Sequence, residues 1–167
     1  MNLRFKRLRP EAQIPDFAHG DPWNAGLDLA LAEARDIGPH GAVWISTGLA
    51  WDPDFDYSEL EGKRWWPTDL QAASGMIGAP WKPALLIRGR SSMARLGLAV
   101  TEGTVDAGYR GEIMVHVWNY GSRYIKLNAG DRVAQAVPVL LPWVSVQEVE
   151  ELRGSVRGDR GFGSSGA

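Results

Sequence analysis

Residues 103–119 read GTVDAGYRGEIMVHVWN. Val105 and Tyr109 flank a glycine-containing turn, so the stretch reads as a β-hairpin tip. Similar short runs recur on both sides of it. LRFKRL near the start alternates apolar and polar residues, as a half-buried strand should. AGLDLAL, GAVWISTGLAW, PALLIRG and LGLAVT lie upstream; YIKLNAG, RVAQAVPVLLPW and VSVQEVEEL lie downstream. Most of these runs are too short for helices and are rich in β-branched or aromatic residues. The glycines mostly fall between them. This spacing predicts an all-β barrel or sandwich. SSMARLGL offers one short turn of helix.

The 167 residues suggest one domain with a real hydrophobic core. A net charge of −2 gives no global basic field for nucleic acid, so any polyanion must be small and locally held. The absence of cysteine removes disulfides, thiolate metal sites and cysteine nucleophiles, and fits a cytoplasmic chain. MNLRFKRLRPEAQ has no apolar core, so a signal peptide is not expected, and no apolar run approaches the roughly 20 residues that span a bilayer. Residues 52–80 break the pattern with three prolines and the pair Trp65-Trp66. They read as an insertion, either packed on the host domain or serving as a partner-binding or oligomer-contact loop. The last residues, VRGDRGFGSSGA, have the composition of a strap that orders on a nucleotide.

His19, His40 and His116 are scattered without metal-ligand spacing, and neither G-x-S-x-G nor a P-loop occurs. Five polar clusters remain. In NAGLDL a glycine stands two residues before Asp28 in an apolar strand, where the carboxylate either meets a ligand or caps a turn. Arg88, Arg90 and Arg95 surround Ser91 and Ser92 in an anion cradle or a solvated basic turn. A helical turn beginning at Ser91 would add its N-terminus to a phosphate. The backbone from Gly103 to Tyr109 can read the edge of a planar base; Asp106 can take a proton from water; Tyr109 offers a flat face to a sugar. In GDRVAQ, Asp131 fits a turn while Arg132 and Gln135 can donate outward. The tail supplies Arg157, Arg160, Phe162, Gly163, Ser164 and Ser165.

Together the five clusters resemble the five ordered motifs of the trimeric dUTPase family: AGLDL, RSSMARLGL, GTVDAGYRGEIMVHVWN, GDRVAQAV and RGDRGFGSSG. The resemblance covers nearly the whole chain outside 52–80. It implies a jelly-roll-like β fold with little helix. It also implies a homotrimer whose three active sites each draw on all three chains, with a β domain over 1–152 and a flexible C-terminal arm over 153–167.

The implied activity is hydrolysis of dUTP to dUMP and pyrophosphate with Mg²⁺. By the resemblance, Asp106 is the catalytic carboxylate that orients and deprotonates the attacking water. Tyr109 packs under deoxyribose, and the backbone around Gly103 and Val105 reads uracil. Arg90, Ser91 and Gln135 contact phosphates, with Ser92 beside them near the base-reading hairpin. Asp28 lies near the magnesium-water shell. Arg157, Phe162, Gly163, Ser164 and Ser165 form the closing arm, Phe162 over the base. One spelling differs: Arg90-Ser91-Ser92 stands where the family usually has Arg-Ser-Gly, which is closer to the dCTP deaminases that share the fold. Those enzymes need a glutamate on the strand after the hairpin, where this chain has His116, and they lack so well formed a glycine-rich tail. The alternatives are therefore a related enzyme acting on dCTP, or a regulatory protein using the 52–80 insertion.

Overall fold

The computed structural model describes residues 2–54, 82–142, 144, 146–156 and 158–159. Among these residues the chain forms, in order, β1 (Leu3–Arg7), β2 (Asp16–Phe17), a 3₁₀ turn (Ala18–Gly20), β3 (Leu27–Ala30), β4 (Arg35–Ile37), β5 (Ala42–Ser46) and β6 (Leu49–Pro53). There follow β7 (Lys82–Gly89), α1 (Ser91–Arg95), β8 (Leu98–Val100), β9 (Gly103–Asp106), β10 (Met114–Asn119), β11 (Ile125–Leu127) and β12 (Arg132–Leu141). The all-β expectation holds, and α1 is the helical turn expected in SSMARLGL.

A five-stranded sheet runs β2-β3-β12-β7-β9, and a three-stranded sheet runs β5-β10-β8. Two pairs, β1-β6 and β11-β4, complete the set. Every pairing is antiparallel. Leu29, Ile45, Leu85, Val117 and Val133 are fully buried between these layers, with Trp51 beside them. β10 shows why the layers close: Val115, Val117 and Asn119 point inward while Met114, His116 and Trp118 alternate outward, the period of a strand with one face on the core.

Three local features depart from the sequence reading. GAVWISTGLAW is two strands, broken where Gly48 takes φ +67°, so that β5 pairs with β10 and β6 pairs with β1. The segment 103–119 makes its turn, with the Tyr109 N–H donating to the Asp106 carbonyl at 3.0 Å. It is not a hairpin, however: β9 pairs with β7 while β10 pairs with β5 and β8. The chain crosses between sheets there because both flanking strands find longer partners elsewhere. VSVQEVEEL forms no strand in its described residues, and Val146 and Leu152 are exposed.

Pro138 lies inside β12, yet β3 pairs with β12 only as far as Ala136, so the residue without an N–H sits where one neighbour has ended.

Candidate active site

Three adjacent strands build the first half of the site. In the register of β3-β12-β7, Gln135 faces Asp28 on one side and Arg88 on the other. Arg90 follows directly as β7 ends. Strand adjacency thus joins residues more than a hundred positions apart. Gly26 is required by the same close approach: a Cβ there would meet the Gln135 Cβ at 3.0 Å.

Asp28 is buried, 7% exposed, and is ringed by cations. Arg90 Nε lies 2.9 Å from Asp28 Oδ1, a charge contact rather than an aligned hydrogen bond. Arg90 Nη2 donates to Oδ2 at 3.2 Å, and Arg132 Nη1 donates to the same oxygen at 3.3 Å. The Gln135 amide reaches Oδ1 at 3.5 Å, the limit of a hydrogen bond. Arg90 also donates through Nη1 to the Arg132 carbonyl at 2.8 Å. A buried carboxylate needs such pairing to stay charged. Its consequence is a guanidinium fork held at the mouth of a basic patch, with the exposed hydroxyls of Ser91 and Ser92 on the first turn of α1 beside it. Arg88 forms an ion pair with Glu102. Asp131 is the turn residue expected, its Oδ2 accepting the Asn128 N–H at 2.8 Å.

The second half lies at the far end of β9. Asp106 is exposed and lines a cleft of about 450 Å³ with Val105, Tyr109, Glu112 and Trp44. The Tyr109 hydroxyl donates to the Glu112 carbonyl at 3.1 Å, which lays the ring back over Gly111. A Cβ on Gly111 would overlap that ring, so the Tyr-Arg-Gly order is a packing requirement.

Asp106 and the Asp28–Arg90–Gln135 group stand apart along β7. Asp106 pairs opposite Ala84 on β7, whereas Gln135 pairs opposite Arg88. Four residues of strand separate these registers, roughly 13 Å. Arg157, Phe162, Gly163, Ser164 and Ser165 lie outside the described residues, as do Trp65, Trp66 and nearly all of the insertion.

The residues present fit magnesium in one particular way. Among the described residues no three His, Asp or Glu side chains gather as a ligand set, and both Asp28 oxygens are already engaged by Arg90, Arg132 and Gln135. Such a donor set can meet Mg²⁺ through the waters that the ion commonly keeps.

Sequence reasoning named Asp28, Arg90 and Gln135, which the structure brings together, and Asp106 and Tyr109, which line one cleft. It missed the pairing of Arg132 with Asp28, and it missed Trp51, whose indole N–H donates to the Asp106 carbonyl at 3.2 Å. A cross-strand partner 55 residues distant leaves no local signal.

A family model described as dUTPase matches residues 67–166. The chain is 37% identical over 169 aligned residues to a deoxyuridine 5'-triphosphate nucleotidohydrolase of Wolinella succinogenes, covering 99% of this chain and 95% of that one. Its fold matches a Staphylococcus bacteriophage 80alpha dUTPase mutant solved with dUpNHpp, at TM-score 0.77 and 22% identity, covering 99% of both chains. It also matches a mutant dUTPase from phage phi11 of S. aureus, solved to show coordination of a structural Mg(II) ion, at TM-score 0.69 and 20% identity over 90% of this chain and 98% of that one. The chain belongs to the dUTPase family.

Proposed function

We infer that this chain is a dUTP diphosphatase, converting dUTP and water into dUMP and pyrophosphate. The observation that carries the reading is the exposed Asp106 carboxylate sharing one cleft with the Tyr109 ring, in a chain of this family. Asp106 accepts a proton from the water that attacks the α-phosphorus, and pyrophosphate leaves in line. Tyr109 presents its ring to deoxyribose, and the backbone at Gly103 and Val105 meets the edge of uracil. Arg90, Ser91, Ser92 and Gln135 donate to phosphate oxygens, a stabilisation that strengthens as charge develops on them. Asp28 keeps Arg90 extended and orders the water around the ion from the buried side. Magnesium, when bound with the triphosphate, supplies charge neutralisation and draws its oxygens into one geometry.

The separation of Asp106 from the Asp28–Arg90–Gln135 group supports a shared site, completed between copies of a homotrimer. So does the outward face of β5-β10-β8, where Trp44 is 61% exposed and packs on His116 at 4.6 Å between ring centroids. Apolar surface of this kind favours burial between copies. The arm over 153–167 closes the site, with Arg157, Phe162, Gly163, Ser164 and Ser165 covering base and γ-phosphate and excluding bulk water.

The test is a panel of deoxynucleoside triphosphates with Mg²⁺, assayed separately for pyrophosphate and for ammonia. Pyrophosphate from dUTP, with little from dCTP, is the expected result. Ammonia from dCTP overturns the reading in favour of a deaminase.

A further inference from the structure

The turn that carries Asp106 and Tyr109 is gripped by two consecutive residues of β6. Trp51 and Asp52 are neighbours in a strand, so their side chains leave opposite faces. Trp51 goes inward and is 1% exposed. Its indole N–H donates to the Asp106 carbonyl at 3.2 Å, and the Tyr109 N–H donates to that same oxygen at 3.0 Å. A carbonyl oxygen has two acceptor sites, so both are taken. The peptide plane leaving Asp106 is fixed, and with it the direction in which the Asp106 side chain departs. A buried indole donor is costly to leave unpaired, which makes the grip firm.

Asp52 goes outward. Its Oδ1 accepts from Arg110 Nη2 at 3.0 Å, and its Oδ2 accepts from Arg4 Nη2 at 2.6 Å. Arg110 passes the restraint on, donating through Nη1 to the Ala107 carbonyl at 2.6 Å and to the Tyr109 carbonyl at 3.3 Å. Further along, the Ile113 N–H donates to the Leu49 carbonyl at 2.8 Å, and the Thr47 hydroxyl donates to the Ile113 carbonyl at 2.6 Å. The crossover from β9 to β10 is therefore tied at several points to β6 and to Thr47 just before it.

We propose that Trp51 and the Asp52–Arg110 pair are positioning residues: Trp51 aims the Asp106 carboxylate, and Asp52–Arg110 sets the height of the Tyr109 ring. The proposal rests on the dUTP diphosphatase reading. It divides the labour on one short turn, because Trp51 holds the carbonyl of the residue that does chemistry while Arg110 holds carbonyls of Ala107 and of the residue that meets the sugar.

Two single variants separate these roles in the full-length chain. Trp51→Phe keeps an aromatic ring in the core and removes the donor; kcat for dUTP falls about tenfold while KM moves less than about threefold. Asp52→Asn, at the surface, leaves Arg110 without its charged anchor; KM rises about threefold and kcat changes less. Circular dichroism and the thermal midpoint establish that each variant is folded at the assay temperature. A merely structural role lowers the midpoint and leaves both constants of the folded protein unmoved, and that result overturns the proposal. Equal changes in kcat and KM for both variants overturn it as well. If Trp51→Phe does not fold, Asp52→Asn alone decides. Absence of pyrophosphate release from dUTP by the unmodified chain is a separate outcome, and it removes the underlying reading instead.

Discussion

The Arg90 guanidinium closes on the Asp28 carboxylate edge to edge, Nε 2.9 Å from one oxygen and Nη2 3.2 Å from the other. The pair joins the end of β7 to β3 across β12, and it holds Arg90 in one pose. Its side chains are 17% and 5% exposed, so neither charge can be released to solvent without rearrangement. Removing one member of such a pair leaves the other uncompensated. Asp28→Ala is expected to lower folding stability by about 3 kcal/mol, read as a shift in the urea midpoint at unchanged slope. Arg90→Lys keeps the charge and loses the fork. Its expected signature is a KM for dUTP raised about tenfold with the fold intact. A wild-type KM in Arg90→Lys would show that the fork does not face substrate.

Asp106 occupies the opposite situation. It is exposed, ends a strand, and its backbone is restrained while its carboxylate faces a cleft. Asp106→Asn preserves size and removes the proton acceptor. Turnover is expected to fall by at least about a hundredfold, within the usual range for a general base, with dUTP binding by calorimetry little changed. Full activity in Asp106→Asn would assign the proton to another group.

The legible part of this molecule was the part written locally. β1, β3, β7, β8, β10 and β12 each lie within an apolar run bounded by turn residues, and Ser91–Arg95 is helical where SSMARLGL suggested it. Asp28, Arg90, Asp106 and Tyr109 stood out because each falls in a short glycine-containing polar cluster, and the five clusters in order resemble the motifs of one family. What stayed hidden depends on distant partners. β9 and β10 look like a hairpin from residues 103–119 alone, yet each prefers a strand far away in sequence. β2 and β4, two and three residues long, carry too little pattern to detect. Trp51 looks like any core aromatic until its N–H is seen to meet Asp106.

The arm makes its own prediction. Removing residues 157–167 takes away two arginines, the one aromatic residue of the tail and both terminal serines. The described residues of the segment leading to it, including Val144, Val146 and Val149, are exposed in the single chain. If the arm is a lid rather than a structural strut, truncation cuts kcat by at least about tenfold and leaves the sedimentation coefficient that of a trimer. Loss of the trimer on truncation would make the tail an assembly element instead.

The roughly 13 Å of β7 between the Asp106 and Gln135 registers underlies the boldest part of the proposal, a site that one copy finishes for another. Two inactive chains can then rescue each other. Asp106→Asn keeps an intact phosphate half, and Arg90→Ala keeps an intact base-and-water half. Unfolded together and refolded at equal ratio, they form mixed trimers in which some sites receive the good half from each kind of chain. Random assembly places both good halves in about a quarter of sites, since each half is intact in half of the chains. Activity near a quarter of the unmodified enzyme is therefore expected from two preparations that are each nearly inert. If both halves belonged to one chain, every site in every mixture would carry a defect, and the mixture would be as inactive as its components.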